Sequence, residues 1–435
     1  INKRFNDFSL VANVGASIVN NRYEDLSYRG PIREKGIPNV FNVFDLDNTK
    51  KKARQDEWQE QTQSIFASVE VGWKSMLYLT LTGRNDWASQ LANSSTPCFF
   101  YPSVGLSGVI SEMLTLPEFI DYMKVRGSFS SVGMPYPRNL TSPTYEYDEA
   151  NQQWKPKTHY PIKDLKPERT NSWELGLDMR LFKDFSLGFS WYLANTFNQT
   201  FDPKVSVSSG YSKIYLQTGY VRNSGVELSL GYGHTWNNHL HWESNFTLSH
   251  NKNTIKDLVT SYIHPETGLP ITQNRLDVGG LGKARFILKK GGTLGDLYTQ
   301  SDLKRDNSGM VEIDPSGALT TEDNLPDIKL GSVFPKANLA WNNRFEWRGI
   351  SLSALFTARI GGIAYSATQA AMDQYGVSER SAQARDNGGV LLNGRTLVDA
   401  QTYYSLIGNS SGLPQYYTYS ATNVRLQEAS VGYTI

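Results

Sequence analysis

Apolar and polar residues alternate one for one along twelve stretches of this chain, and the stretches are joined in turn by tight turns and by long polar segments. Trp173, Leu175, Leu177, Met179 and Leu181 interleave with Ser172, Glu174, Gly176, Asp178 and Arg180. After Lys183 and Asp184 the pattern resumes, with Phe185, Leu187, Phe189, Trp191 and Leu193 set against Ser186, Gly188, Ser190 and Tyr192. Successive side chains of a strand point to opposite faces, so each stretch predicts a β-strand with one apolar, aromatic-rich face and one small or charged face. The predicted strands cover 5–19, 63–73, 76–86, 102–111, 122–132, 171–182, 185–196, 225–236, 239–251, 336–347, 349–360 and 421–434.

Short connections fall at Lys74-Ser75, Lys183-Asp184, Asn237-Asn238 and Trp347-Arg348, with a longer, helical-looking link around Leu114 to Asp121. Long ones cover 20–62, 87–101, 133–170, 197–224, 252–335 and 361–420. Long and short alternate without a break, so every long loop leaves from the same end of the structure. That wiring predicts an all-β fold, a transmembrane antiparallel β-barrel with short turns on one side of a membrane and long loops on the other. A soluble sandwich with Greek-key crossovers does not segregate its loops in this way. Trp73, Trp87, Trp173, Trp236, Trp242, Trp341 and Trp347 stand near strand ends, as interfacial girdles require.

Composition agrees with a barrel. Of 435 residues, 12% are aromatic, yet the mean hydropathy of −0.44 is that of a polar protein. Half of every strand and all of every loop are polar in a barrel, which reconciles the two figures. No apolar run approaches the roughly 18 residues of a membrane-spanning helix. The net charge of +1 arises from 43 basic and 42 acidic residues without a long block of one sign, so nucleic acid is not an expected partner. A single cysteine, Cys98, precludes an internal disulfide. Ile1 follows no signal-like segment and Ile435 interrupts an alternating run, so the chain is expected to be an internal piece of a longer one.

Several segments resemble the C-terminal barrel portion of SusC/RagA-type TonB-dependent outer-membrane transporters of Bacteroidetes. The main carriers are the run from Leu165 through Lys166-Pro167-Glu168-Arg169-Thr170-Asn171-Ser172-Trp173 to Gly176, and Arg222-Asn223-Ser224-Gly225-Val226-Glu227-Leu228-Ser229. Tyr78 to Asp86, Tyr101 to Gly105, Lys124 to Ser130, Phe334-Pro335-Lys336, Ile350 to Phe356 and Val424 to Tyr433 add to these. The resemblance implies that residues 1–435 form twelve or so strands of a barrel of about 22, closed by a plug domain that this chain lacks. It also implies a multi-pass protein of the bacterial outer membrane, surrounded by lipid and lipopolysaccharide. The protein would import oligosaccharides with a SusD-like surface lipoprotein and draw energy from the TonB-ExbB-ExbD complex through the plug. Peptide import is the alternative within the family, and a non-transporting, carbohydrate-binding surface protein the alternative outside it.

Catalytic signatures are weak. Asp148 and Glu149 are sequence neighbours and point apart on an extended chain, which is unsuited to paired-carboxylate hydrolysis. Gly279-Gly280-Leu281-Gly282-Lys283 suggests a phosphate loop, but Asp277 and Ala284 occupy positions where that motif needs Gly and Ser or Thr. His239 and His241 share a strand face with Glu243 and Asn245 and have no identifiable third metal ligand. Asp302, Asp306, Asn307, Glu312, Asp314, Glu322 and Asp323 make one loop acidic without the EF-hand spacing, so calcium is an alternative to a solvated loop and no cofactor is expected.

Loop aromatics are the stronger signal. Tyr145, Tyr147, Trp154 and Tyr160 occupy one long loop, and Tyr416, Tyr417 and Tyr419, preceded by Tyr403 and Tyr404, occupy another. Flat rings stack on the apolar faces of sugars while neighbouring amides and carboxylates bind hydroxyls, so these residues are the expected ligand surface. Loop packing or a protein contact is the alternative use of the same rings.

Overall fold

The computed structural model describes residues 1–434 apart from 35–39, 41, 139, 141–144, 149–151, 157–158, 161–164, 202–212, 238, 264–267 and 269. Thirteen strands form one antiparallel meander in which each strand pairs with its predecessor and its successor. They are β1 Asn2–Phe5, β2 Phe8–Arg29, β3 Lys52–Trp73, β4 Leu77–Ala88, β5 Cys98–Val109, β6 Ile120–Met134 and β7 Glu168–Leu181. They continue as β8 Phe185–Phe201, β9 Leu216–Trp236, β10 Leu240–Asp257, β11 Ala337–Trp347, β12 Ile350–Ile360 and β13 Asn423–Tyr433. All twelve expected strands are present, and the short β1 precedes them. The sheet is open, with β1 and β13 at its edges.

Register carries the sequence alternation across the whole sheet. One row runs Val125, Leu177, Phe189, Leu228, Leu248, Leu339, Ala358 and Val424 over eight adjacent strands. The next row, one residue on, runs Arg126, Gly176, Ser190, Glu227, Ser249, Asn338, Arg359 and Asn423. A one-residue slip anywhere would exchange the two faces, so the rows define an apolar side and a polar side for the entire sheet. The apolar side is uncovered: Val14 is 82% exposed and Trp173 54%. That exposure fits a surface whose natural solvent is lipid.

In β13 the alternation breaks, and the backbone corrects it. Val424 and Leu426 lie on the apolar side, and unbroken alternation would turn Val431 and Tyr433 to the polar one. A register shift leaves Gln427 as the extra residue between the pairs Phe356–Leu426 and Leu355–Glu428. Beyond this bulge Val431 pairs with Leu352 and Tyr433 with Ile350, back on the apolar side.

At one end of the sheet the turns are tight. Lys74 and Ser75 have φ of 49° and 58°, and the Met76 amide donates to the Trp73 carbonyl at 2.9 Å. Arg348 and Gly349, with φ of 46° and 85°, join β11 to β12 in two residues. Positive φ at both central positions gives the turn whose twist matches that of the strands, and glycine is the residue that adopts it without strain. The link between β5 and β6 is helical only over α1, Ile110–Met113, earlier than the expected 114–121.

At the other end the strands overrun their expected limits. β2 and β3 reach 22 residues each, whereas a strand needs about 9–11 to cross a bilayer. The last two long connections are not simple polar loops. Residues 275–332 contain a four-stranded sheet, and residues 361–420 contain α2 Ala367–Gln374, α3 Glu379–Asp386 and α4 Ala400–Gly408. These two connections share one core: Leu303, Val311 and Leu319 from the first pack with Ala370, Leu392, Val398, Tyr403, Ile407, Leu413 and Tyr417 from the second. Asp373, buried at the end of α2, clasps the unit. Its carboxylate accepts from Arg380 Nε at 2.7 Å, Ser378 Oγ at 2.5 Å and Gln369 Nε2 at 3.0 Å. Burial disfavours its charge, but the hydrogen bonds from Arg380, Ser378 and Gln369 and the positive charge of Arg380 outweigh that and hold its pKa below the usual carboxylate value.

Two outcomes follow from these faces and this clasp. Leu187→Arg or Phe189→Arg should cost about 2–4 kcal/mol in a bilayer, and Ser229→Arg, on the polar side between Gly188 and Thr247, far less. Denaturant unfolding of the full-length protein in lipid vesicles measures both, and equal costs would contradict the assignment of faces. Because the folded-state pKa of Asp373 is depressed, its contribution to stability is complete above the unfolded value of about 3.9 and disappears as pH falls through the folded value. Limited proteolysis of the 361–420 segment should therefore rise below about pH 4 in the wild type. In Asp373→Asn it should be raised already at pH 7 and change less with acid.

Candidate functional site

Two of the concave regions lie on the polar face of the sheet and at its long-loop end. The first is a trough of about 830 Å³ on the polar face of β6–β13. Arg126 organises it, reaching Asp178 at 3.0 Å, Glu174 at 3.4 Å and Ser190 Oγ at 2.7 Å, with Glu227 opposite Ser190 on the next strand. Gly176 sits directly beneath this arginine, and a Cβ there would fall 2.4 Å from its Nε. The glycine is thus what lets the guanidinium lie flat across the wall.

The second region is a cavity of about 1570 Å³ at the long-loop end, walled by the overlong β2–β3 hairpin, by residues 134–138 and by Tyr147, Trp154 and Glu168. Trp58, Tyr136, Tyr147 and Trp154 supply its aromatic surface, and Arg29, Lys52, Arg54, Arg138, Asp56, Glu57, Glu60 and Glu168 its charge. Trp58 stacks on Tyr23 with centroids 5.5 Å apart, and the Arg138 guanidinium lies 3.9 Å from the Trp58 centroid. This cation–π pair fixes the indole against the wall.

The expected ligand aromatics divide. Tyr147 and Trp154 face one another across the hairpin formed by Tyr145–Asp148 and Gln153–Pro156. Their rings make an edge contact at 5.3 Å, and they remain 48% and 67% exposed. Tyr145 belongs to the same hairpin and Tyr160 to the two-residue strand His159–Tyr160, but their side chains lie outside the described residues. Tyr417 is 0% exposed and fills the shared loop core, so it offers no ring to a ligand. Tyr416 is half-buried against the same core and donates to Asp302 at 3.3 Å; burial, then the Asp302 charge, pushes its phenol pKa up. Tyr419 is 42% exposed on the short strand Thr418–Ser420, within the loop unit and not among the residues of the mouth cavity.

Trp58 and Arg138 were not singled out by the sequence. Trp58 is the lone aromatic in the polar run Gln55 to Gln63, which alternates too weakly in hydrophobicity to announce a strand. The regular spacing of Asp56, Trp58, Glu60 and Thr62 was the available signal.

The other residues named from the sequence make local contacts. The Gly279 to Lys283 run is part of a hairpin between Arg275–Leu281 and Ala284–Lys289, and Lys283 pairs with Asp323 at 2.9 Å. His241 Nδ1 meets Thr235 Oγ1 at 2.9 Å, and no group of three metal-ligating side chains occurs among the described residues. Asp306 and Asp314 each close their own turn, taking the hydroxyl and amide of Ser308 and of Ser316. Those bonds, the serine hydroxyl foremost, lower both carboxyl pKa values.

The family model described as "TonB dependent receptor-like, beta-barrel" matches residues 2–424. TonB-dependent receptor P39 of Formosa agariphila is 23% identical over 337 residues, covering 74% of this chain and 29% of its own length. TonB-dependent receptor P26 of the same organism is 23% identical over 350 residues, covering 75% and 34%. The chain thus spans about a third of these relatives. Among solved structures, the RagAB peptide transporter superposes with a TM-score of 0.72 at 17% identity, over 99% of this chain and 47% of that one. The RagAB peptide importer in its "open-open" state gives 0.69 at 18% identity, over 98% and 46%. These likenesses share the fold of a barrel that crosses the bacterial outer membrane by strands. The chain belongs to the TonB-dependent receptor β-barrel family.

Proposed function

We propose that this chain forms the greater part of the barrel wall of an outer-membrane importer, and that its solute is an oligosaccharide captured at the long-loop mouth. A SusD-like surface lipoprotein presents the solute, and the TonB-ExbB-ExbD complex energises passage through a plug contributed by the rest of the protein. The observation that carries the substrate class is the mouth cavity. Tyr147 and Trp154 stand exposed at its rim, and Trp58 is held within it by Arg138. Planar rings set among charged and amide groups suit the alternating apolar faces and hydroxyl edges of sugars. The reading assigns the chain no catalytic step, in keeping with a family of receptors and transporters.

Peptide import is the second reading, and two observations favour it. The fold neighbours described above are a peptide transporter and a peptide importer. The cavity also sets Arg29, Arg54 and Arg138 against Glu60 and Glu168, a mixed-charge lining that suits zwitterionic chains.

Native mass spectrometry of the full-length protein with its co-purifying partners separates the two. Bound species spaced by hexose or pentose units support the oligosaccharide, whereas a spread of amino-acid masses overturns it in favour of peptide. In calorimetric titration with the sugar so identified, Trp154→Ala should weaken binding about tenfold, or about 1.4 kcal/mol. Tyr417→Phe, in the loop core, should leave affinity unchanged.

A further inference from the structure

Several arginines of the polar face meet a carboxylate. Arg84 pairs with Asp86 at 2.7 Å, Arg126 with Asp178 at 3.0 Å, and Arg344, near the short turns, with Glu346. Three cations at the last strands do not. Lys336 stands just before β11, and its amide continues the ladder by donating to the Ile360 carbonyl at 2.8 Å. Two residues on, Asn338 pairs with Arg359 of β12, and Thr357, two residues before Arg359, pairs with Arg425 of β13. The three side chains therefore share the polar face and step diagonally across three adjacent strands, from the long-loop end down into the trough. Diagonal neighbours lie about 7–8 Å apart, so the strip is about 15 Å long.

Among the described residues none of the three forms an ion pair. The Arg359 guanidinium donates to the Val333 carbonyl at 2.6 Å, a neutral partner. Of the carboxylates on this face, Asp178 and Glu174 are engaged by Arg126, and Glu428 lies beyond the bulge on β13. Glu227 lies three strands from Arg359 in the same row, about 14 Å along the sheet. The backbone makes room for the cations. Gly361 and Gly362 follow β12 with φ of 77° and 83°. A Cβ on the first would fall 3.0 Å from Lys336 Cγ, and one on the second 3.2 Å from a terminal nitrogen of Arg359. Glycine therefore serves both the turn and the two side chains beside it.

Around the strip the trough is neutral and polar, lined by Ser249, Asn338, Thr357, Asn423 and Gln427. Guanidinium groups bind oxyanions through paired, charge-assisted hydrogen bonds, and a wall carrying one sign of charge concentrates solute of the other. The amides and hydroxyls alongside suit the hydroxyls of a sugar. An occupant that satisfies both carries repeated oxyanions on a hydroxyl-rich chain.

We propose that Lys336, Arg359 and Arg425 form a guide strip on the inner wall for the carboxylate or sulfate groups of an acidic oligosaccharide. On the oligosaccharide reading, on which this rests, the strip narrows the solute to anionic chains. The mouth supplies ring stacking, and the strip supplies charge further in.

Calorimetric titration of the full-length protein with its partners tests the strip against three hexasaccharides. One has a uronate at every second sugar, one is its carboxyl-reduced neutral form, and one is that neutral form carrying sulfate esters. Wild type should bind at least one anionic chain about tenfold or more tighter than the neutral chain, and the tighter of the two identifies the anion. The combined Lys336→Gln, Arg359→Gln and Arg425→Gln variant should bind all three alike, at the wild-type affinity for the neutral chain. Arg344→Gln, on the same face near the short turns, should keep the preference. Should the triple variant fail to insert, Arg425→Glu alone should reduce the preference severalfold. Equal wild-type affinity for charged and neutral chains overturns the strip and leaves the oligosaccharide reading standing. Failure to bind any of the three, with amino-acid masses co-purifying, overturns both. A triple variant that also loses affinity for the neutral chain marks the strip as a seat for the plug and overturns the proposal.

Discussion

Inside a bilayer no water is present to satisfy a peptide group, and this constraint governs the rest of the molecule. Every strand crossing the hydrocarbon must give its amides and carbonyls to neighbours, so the chain runs as an uninterrupted antiparallel meander. Once the ladder is continuous, the pleat fixes which side each residue occupies, and the rows of apolar and polar side chains follow. The bulge at Gln427 shows the strength of this requirement. There the backbone gives up regular pairing at one position so that Val431 and Tyr433 return to the lipid side. The open edges at β1 and β13 belong to the same logic, since an unpaired strand edge in lipid needs further strands beside it.

Outside the bilayer the constraint lifts and the chain uses different physics. The last two long connections fold around an apolar core of their own, to which each contributes only part. Neither segment encloses that core alone. A buried carboxylate with several donors ties its helices together, an arrangement that membrane strands do not need. At the mouth, the β2–β3 hairpin continues its ladder well past the length a membrane requires and carries Trp58 into the cavity wall. The same backbone pattern thus serves as a lipid-facing wall at one level and as a binding surface at another.

The membrane part of this architecture was legible in the sequence because period-two alternation is a local property. Each strand announces itself within ten residues, as Trp173 to Leu193 does. The loop unit was not legible, because its core joins residues about a hundred positions apart, and nothing near Leu303 signals contact with Tyr417. Tyr417 accordingly read as a surface ring, although it is a packing residue. Trp58 and the extension of β3 were missed for the opposite reason: above the membrane both faces are polar, so the alternation that marks a strand fades while its hydrogen bonding persists. Tyr147 and Trp154 were found because an aromatic hairpin in a long loop is visible locally.

One face of each strand meets lipid and the other meets water. Single cysteines placed in turn at residues 185–196 of the full-length protein, in a Cys98→Ser background and in native outer membranes, test it most directly. The reagents are one water-soluble and one lipid-soluble thiol label. Strict alternation is expected, with positions 187, 189, 191 and 193 taking the lipid-soluble label and positions 186, 188, 190 and 192 the water-soluble one. Uniform labelling along the strand, or alternation in the opposite phase, would contradict it.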